Sequence, residues 1–403
     1  MRLDKHVVAR IGALVALAGA LTGALAAFTH NELRRESSRD GYGTPAACPP
    51  DSVTPINPPA TPLLSESATA RETRFSFIAY GDTRGPRDAV EPGPGHTQVV
   101  EAMLETIKQM QGGPDPVRFV INSGDAVSNG RLTAPWNNAY VPLINRLTAA
   151  NVPFFPTVGN HDVTDATTNL DPRRRTGLCH FFAATAALIP AEGSPRRLDG
   201  YPTYAFAYGN SFFIALDSHF AGDSLQFAWV ERQLASLDRT RYVNVVVYFH
   251  HPAFSSAEHG TLRVEPYVAL LRARYFPLFE KYHVRLVING HEHEFEHWIE
   301  RYEDASGPHR LDEIVSGGGG APPYPYKREP DVADFLNDGA ARHVTLEHRA
   351  KPQVDSLANA YHFVLVHVNG NELRVEVIGA DPAKPFLPYG TKEPILLADP
   401  PRR

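Results

Sequence analysis

Residues 288–298 read INGHEHEFEHW. Positions 291 to 297 hold three histidines and three glutamates, directly after the apolar run VRLVI, 284–288. Such a stretch has three readings: a solvated polar turn, a closed zinc site, or one corner of a larger active site. His and Glu are mostly surface residues, so the stretch does not decide among them by itself. What decides is whether the same pattern, an apolar run ending in metal-grade side chains, recurs along the chain.

It recurs four more times. FSFIAY (75–80) ends at Gly81-Asp82-Thr83-Arg84, and VRFVIN (117–122) ends near Gly124-Asp125. VPFFPTV (152–158) ends at Gly159-Asn160-His161-Asp162, and VNVVVYF (243–249) runs into His250-His251-Pro252. Between the runs, apolar residues take helical spacing over 99–110, 140–150, 225–237 and 267–282, the last with a break expected at Pro277. Two hairpins are expected: 204–208 with 211–216 around Gly209-Asn210, and FVLVHV-NGN-ELRVEVI near the C-terminus. Strands alternating with helices predict an α/β sheet, whose function gathers at the carboxyl ends of the strands. Glycine before the polar residue permits the close backbone approach that a short carboxylate needs to reach a central ion. Each fragment alone is weak, whereas five in this order at five strand ends are specific.

The set resembles the calcineurin-like metallophosphoesterase superfamily over residues 74 to 320. A finer likeness, to the purple acid phosphatase branch, rests on HHPAFSSAEHG (250–260), with His259 nine residues after His250, and on the preceding helix QFAWVERQLASL. The resemblance implies a four-layer α/β/β/α sandwich of two mixed β-sheets flanked by helices, with a dinuclear metal site at strand ends. It makes Asp125 the carboxylate bridging two ions, Asp82 and His293 ligands of the first, and Asn160, His250 and His291 ligands of the second. His161 and His259 match histidines that face phosphate and leaving group, with Asp162 orienting His161. Two cations of the Mn, Fe or Zn type suit these donors and would clamp a phosphoryl group while activating water. An imidazolium would protonate the leaving oxygen.

Two positions depart from that pattern. Arg84 stands where many members carry a histidine ligand, and Ser128 where the purple branch has a tyrosinate. The first ion keeps Asp82, Asp125 and His293, with water, Ser128 or Asn129 to complete it. No purple charge-transfer band is expected. Arg84 either pairs with substrate phosphate or forms a salt bridge to Asp125 or Asp162.

Other residues carry weaker signals. His96 is read as loop surface, with a cleft-bordering role the alternative, His219 as a candidate rim residue and His180 as structural. His251 is expected to point away from the ions. Glu294, Glu296 and His297 are read as supporting or rim residues, with solvated surface the competitor. Arginines 173–175 either attract an anion or form a solvated face. SGGGGAPPYPY (316–326) is a glycine-rich turn and lacks the Gly-Lys-Ser/Thr of a P-loop.

Charge and ends bound the function. A net charge of −6 gives no footprint for nucleic acid. Arg2, Lys5 and Arg10 precede an apolar run, 11–27, with an Ala24-Leu25-Ala26 cleavage pattern. Residues 1–27 read as a signal peptide, 28–70 as a proline-rich linker, 71–380 as the catalytic domain and 381–403 as a tail. Export to the periplasm or medium follows, with membrane contact only if the leader stays as an anchor. The two cysteines, Cys48 and Cys179, either pair or remain thiols. The expected activity is hydrolysis of a small phosphate monoester. A phosphodiesterase or nucleotidase, and a non-catalytic binding protein, are the alternatives.

Overall fold

The computed structural model describes residues 53–399 apart from 64, 165–170 and 263. The proposed leader and Cys48 lie outside these residues. Thirteen strands form among the described residues: β1 Arg74–Tyr80, β2 Val117–Asn122, β3 Phe154–Pro156, β4 Tyr204–Tyr208, β5 Ser211–Ala215, β6 Asn244–Tyr248, β7 Leu286–Asn289, β8 Phe295–Asp304, β9 Gly307–Ser316, β10 Thr345–Ala350, β11 His362–Asn369, β12 Glu372–Gly379 and β13 Ile395–Leu396. One sheet runs β13-β12-β11-β1-β2-β3, the other β10-β8-β9-β7-β6-β5-β4. Both are mixed. β1, β2 and β3 are parallel, as are β5, β6, β7 and β9, while the hairpin β11–β12 and strands β4, β8 and β10 pair antiparallel. Two mixed sheets flanked by helices are the expected architecture.

The sheets meet across an aromatic core. Phe119 of β2 lies edge-on to Phe213 of β5 with centroids 5.0 Å apart, and Phe155 of β3 stacks on Phe206 of β4 at 3.9 Å. Both packings are inter-sheet, so they fix how the strand ends of one sheet face those of the other. A second apolar cluster lies outside the β4–β10 sheet. There Trp229 and Leu234 of the helix Ser224–Ala235 and Phe276 and Phe279 of Phe276–Lys281 are buried.

The break expected at Pro277 takes the form of a π turn. Leu271–Tyr275 is π-helical, closed by Phe276 N–H donating to the Leu271 carbonyl, and the helix continues through Pro277 to Lys281. Trp136–Tyr140 does the same ahead of Pro142. Proline has no N–H and its ring meets the carbonyl four residues back, so a wider turn relieves both problems without ending the helix.

Two expectations are corrected. Residues 53–70 are not a free linker. Val53 and Ile56 are buried, and Thr54, Asn57 and Thr61 N–H donate to the side-chain carbonyls of Asn137, Asn145 and Asn151 at 2.7–2.8 Å. Proline content had suggested disorder, but the few remaining N–H groups are all that such a strap needs to anchor. Nor is 381–399 a loose tail: β13 pairs with β12, Leu397 is buried, and Asp399 accepts from Arg301 and Arg310. FEHWIERYED is strand β8, buried along its first six residues, so of the two readings of Glu296 and His297 the solvated one falls away.

Candidate metal centre

Five strand ends converge. Asp82 follows β1, Asp125 follows β2, Asn160 follows β3, His250 follows β6 and His291 follows β7. The turns are strained: Asp82, Asp125 and His291 take φ of 61°, 53° and 71°, a left-handed region that side chains other than glycine enter rarely. Such strain, of order 1–3 kcal/mol per residue, collects at functional sites. Glycine makes the approach possible. A Cβ on Gly159 would overlap the Asp125 carboxylate, and one on Gly290 would overlap that of Asp82.

Four electron-pair donors gather at the position assigned to the second ion. His250 Nε2 lies 3.0 Å from Asn160 Oδ1, 3.2 Å from His291 Nδ1 and 3.3 Å from Asp125 Oδ1. The outer hydrogen bonds set the tautomers. His250 Nδ1–H donates to the Ser123 carbonyl at 3.0 Å, and His291 Nε2–H faces Glu265 Oε1 at 3.4 Å. Burial holds both imidazoles neutral, below the ordinary histidine value. The inner nitrogens therefore turn lone pairs toward each other and toward two oxygens. Unprotonated donors this close repel unless a cation lies among them, and N and O ligands at about 2.0–2.2 Å would be so spaced. These residues fit one metal ion. His251, expected to point away, packs its ring 4.3 Å from that of His291 and holds Ser218 Oγ through Nδ1 at 2.7 Å.

Glu265 has no sequence signature, yet it ties this pocket together. Its Oε1 also accepts from His259 Nδ1 at 2.9 Å. Burial opposes its ionisation, but the bonds from His259 and His291 outweigh that and bring its carboxyl down to about 2. The His259 ring lies 4.3 Å from that of His291. On the opposite side, His161 N–H donates to Asp125 Oδ1 at 2.9 Å, and its Nδ1–H donates to the Ser128 carbonyl at 2.9 Å. Its Nε2 is thereby directed inward, 4.0 Å from Asp125 Oδ2. The orienting group is thus a backbone carbonyl and not Asp162. That carboxylate instead accepts from Val127 and Gly159 N–H at 3.2 and 2.9 Å and braces the two loops. Burial, with the Asp125 charge, raises its pKa to about 8.

The position assigned to the first ion is different. Asp82 Oδ1 is buried without a hydrogen-bond partner, 3.6 Å from His293 Nε2. The other two ligands are already engaged by Arg84. Its Nε donates to Asp125 Oδ2 at 3.2 Å and its Nη2 to His293 Nε2 at 3.1 Å. Ser128 does not complete the set, because its N–H and Oγ both donate to Asp88 at 2.6 Å. Asn129 Oδ1 is taken by Arg131. The residues as arranged do not fit a second metal ion here. Tyr324, from the glycine-rich turn 316–326, stacks on His293 at 4.1 Å and interacts with Arg84 through its hydroxyl.

The remaining candidates fall outside the centre. His96 is buried against Tyr80 and Tyr140 and is not a surface residue. His180 binds the Gly130 carbonyl, a structural role. His219 is buried on Asp217, not on the rim. Arg174 is fully buried in an ion pair with Asp217, so the arginine run is not simply a solvated face. Glu296 receives Ser255, Ser256 and Trp298 and holds the loop after His250.

A sequence model of the calcineurin-like phosphoesterase family matches residues 75–295, more than half of the chain. Among curated proteins, "Probable inactive purple acid phosphatase 1" of Arabidopsis thaliana is 27% identical over 264 residues, covering 60% of this chain and 41% of that protein. "Probable inactive purple acid phosphatase 27" of the same plant is 22% identical over 254 residues, covering 61% and 39%. The chain therefore spans less than half the length of these relatives. Among solved structures, purple acid phosphatase PPD1 of yellow lupin superposes with a TM-score of 0.55 at 17% identity, over 79% of this chain and 53% of that one. With five loop clusters on two mixed sheets and a match across them, the chain belongs to the calcineurin-like phosphoesterase family.

Proposed function

We propose that this protein is an exported, metal-dependent phosphoric ester hydrolase acting on small phosphate monoesters. One observation carries the reading: the donors of Asp125, Asn160, His250 and His291 converge between two histidines, His161 and His259, that are not among them. A metal ion held there would polarise a phosphoryl oxygen and make bound water nucleophilic. The protein groups then have separate tasks. Arg84, about one-fifth exposed beside Asp125, meets phosphate oxygens from one side. His161, about one-third exposed, reaches the same cleft with Nε2. His259 is the acid for the leaving oxygen. Burial lowers its pKa, but the hydrogen bond to Glu265 and the Glu292 charge outweigh that and leave it above the ordinary value. Export is supported by the signal-like leader and by Cys179, which is disulfide-bonded.

A second reading, a non-catalytic binder of metal or phosphate, is favoured by two observations. Arg84 engages two expected ligands, and the two Arabidopsis relatives carry "inactive" in their names. The test is hydrolysis of para-nitrophenyl phosphate and its bis-ester by metal-stripped protein titrated with Mn, Zn or Fe. Metal-restored turnover of the monoester is expected. Preference for the bis-ester would make it a phosphodiesterase, and no turnover with bound metal would make it a binding protein.

A further inference from the structure

We infer that the Arg84 guanidinium takes the place of the first cation, so that the centre holds one metal ion and one guanidinium instead of two metals. Three observations bear on this. First, the guanidinium bonds one oxygen of Asp125, Oδ2, while the other, Oδ1, lies 3.3 Å from His250 Nε2, which also meets Asn160 and His291. The bridging carboxylate is thus shared between an arginine and a metal pocket. Second, the His293 tautomer is set for a cation, and that cation is Arg84. His293 Nδ1–H donates to the Pro322 carbonyl at 2.8 Å, which leaves Nε2 a lone pair, and Arg84 Nη2–H donates into it at 3.1 Å. Third, the substitutes that could build a separate site are committed elsewhere, Ser128 to Asp88 and Asn129 to Arg131.

The chemistry favours the arginine over an incoming ion. Arg84 is two residues from Asp82, so it competes as an intramolecular group while a metal competes from solution. A guanidinium is always protonated and presents planar, directed N–H groups to a carboxylate and an imidazole at once. A divalent ion placed among Asp82, Asp125 and His293 would have to break both Arg84 bonds and leave a cation beside itself. Tyr324, stacked on His293, also interacts with the guanidinium. The consequence for phosphate is a mixed clamp: one pole is exchangeable metal, the other a fixed positive charge. The inference rests on the metal pocket of the preceding section but not on turnover.

The test counts metal. Metal-stripped protein is titrated with Mn(II) and its bound equivalents and electron paramagnetic resonance spectrum are recorded. The measurement uses a His309→Ala background, because His283, Asp304 and His309 form a partly exposed ligand group that could add an equivalent. One equivalent with the sharp spectrum of an isolated Mn(II) is expected. Arg84→His should raise this to two equivalents with the broadened spectrum of a coupled pair, and Arg84→Ala, which only removes the guanidinium, should admit a second, weaker ion. Two tight equivalents with a coupled spectrum in the Arg84 protein would overturn the inference, as would zero equivalents. One equivalent without turnover would preserve it while removing the phosphatase reading, and two equivalents with turnover would do the reverse.

Discussion

Glu265 Oε1 lies 2.9 Å from His259 Nδ1 and 3.4 Å from His291 Nε2, so one carboxylate holds both a histidine of the metal pocket and a histidine of the proposed acid position. Carboxylates behind metal-binding imidazoles fix ring orientation and raise ligand basicity. Glu265→Ala should therefore weaken metal binding about 10–100-fold, read by calorimetric titration of metal-stripped protein. Unchanged affinity would mean that Glu265 serves only the loop.

His161 contacts Asp125 through its backbone N–H and presents its side chain to the cleft. His161→Ala should keep the bound metal and lower kcat roughly 10²–10⁴-fold on an alkyl phosphate. Loss of metal together with rate would show the histidine to be a ligand, and full activity would remove it from the reaction.

The proline-rich strap makes a stability prediction. Ile56 is fully buried and its N–H donates to the Ala184 carbonyl at 2.9 Å. Ile56→Ala should cost about 2–5 kcal/mol in denaturant unfolding, the usual range for such a truncation in a packed core. A residue in a solvated linker would cost nothing measurable, so a change below about 0.5 kcal/mol would refute the packed strap.

His367, on β11 away from the metal centre, gives a pH dependence. Burial lowers its pKa, but the carboxylates of Glu376 and Asp115 outweigh that, with Nδ1 3.0 Å from Asp115 and Nε2 3.5 Å from Glu376. Its folded pKa is raised above the ordinary value near 6.5, so the folded state binds the proton more tightly than the unfolded one. The stabilisation is full below about pH 6.5 and is lost as pH rises through the raised folded value. His367→Gln should therefore destabilise the protein more at pH 5.5 than at pH 9 in thermal melts. An equal loss at both pH values would show that the ion pairs contribute nothing.

Where sequence reading succeeded, the signal was local and repeated. Asp82, Asp125, Asn160, His250 and His291 each end an apolar run, and a glycine before a polar residue is visible without coordinates. Where it failed, the deciding contact belonged to no repeated pattern. Asp162 sits beside His161 in sequence, but the loop turns its carboxylate onto Val127 and Gly159. Glu265 and Tyr324 belong to no repeat, and only folding of residues 259 and 293 against them gives them a role. Residues 53–70 looked unstructured because proline removes the periodicity that signals packing, while the asparagines that capture them stand more than eighty positions away.

The sequence by itself determined the alternation of strands and helices, and so an α/β sheet whose strands carry metal-grade side chains at their carboxyl ends. Those properties follow from backbone periodicity and turn chemistry, which act over a few residues. Only the tertiary structure decided the state of the first cation position. The sequence showed an arginine where a ligand was expected, but not where its guanidinium would go. That depended on bringing Asp125 of one sheet and His293 of the other within reach of the same side chain, a distance set by the inter-sheet aromatic core.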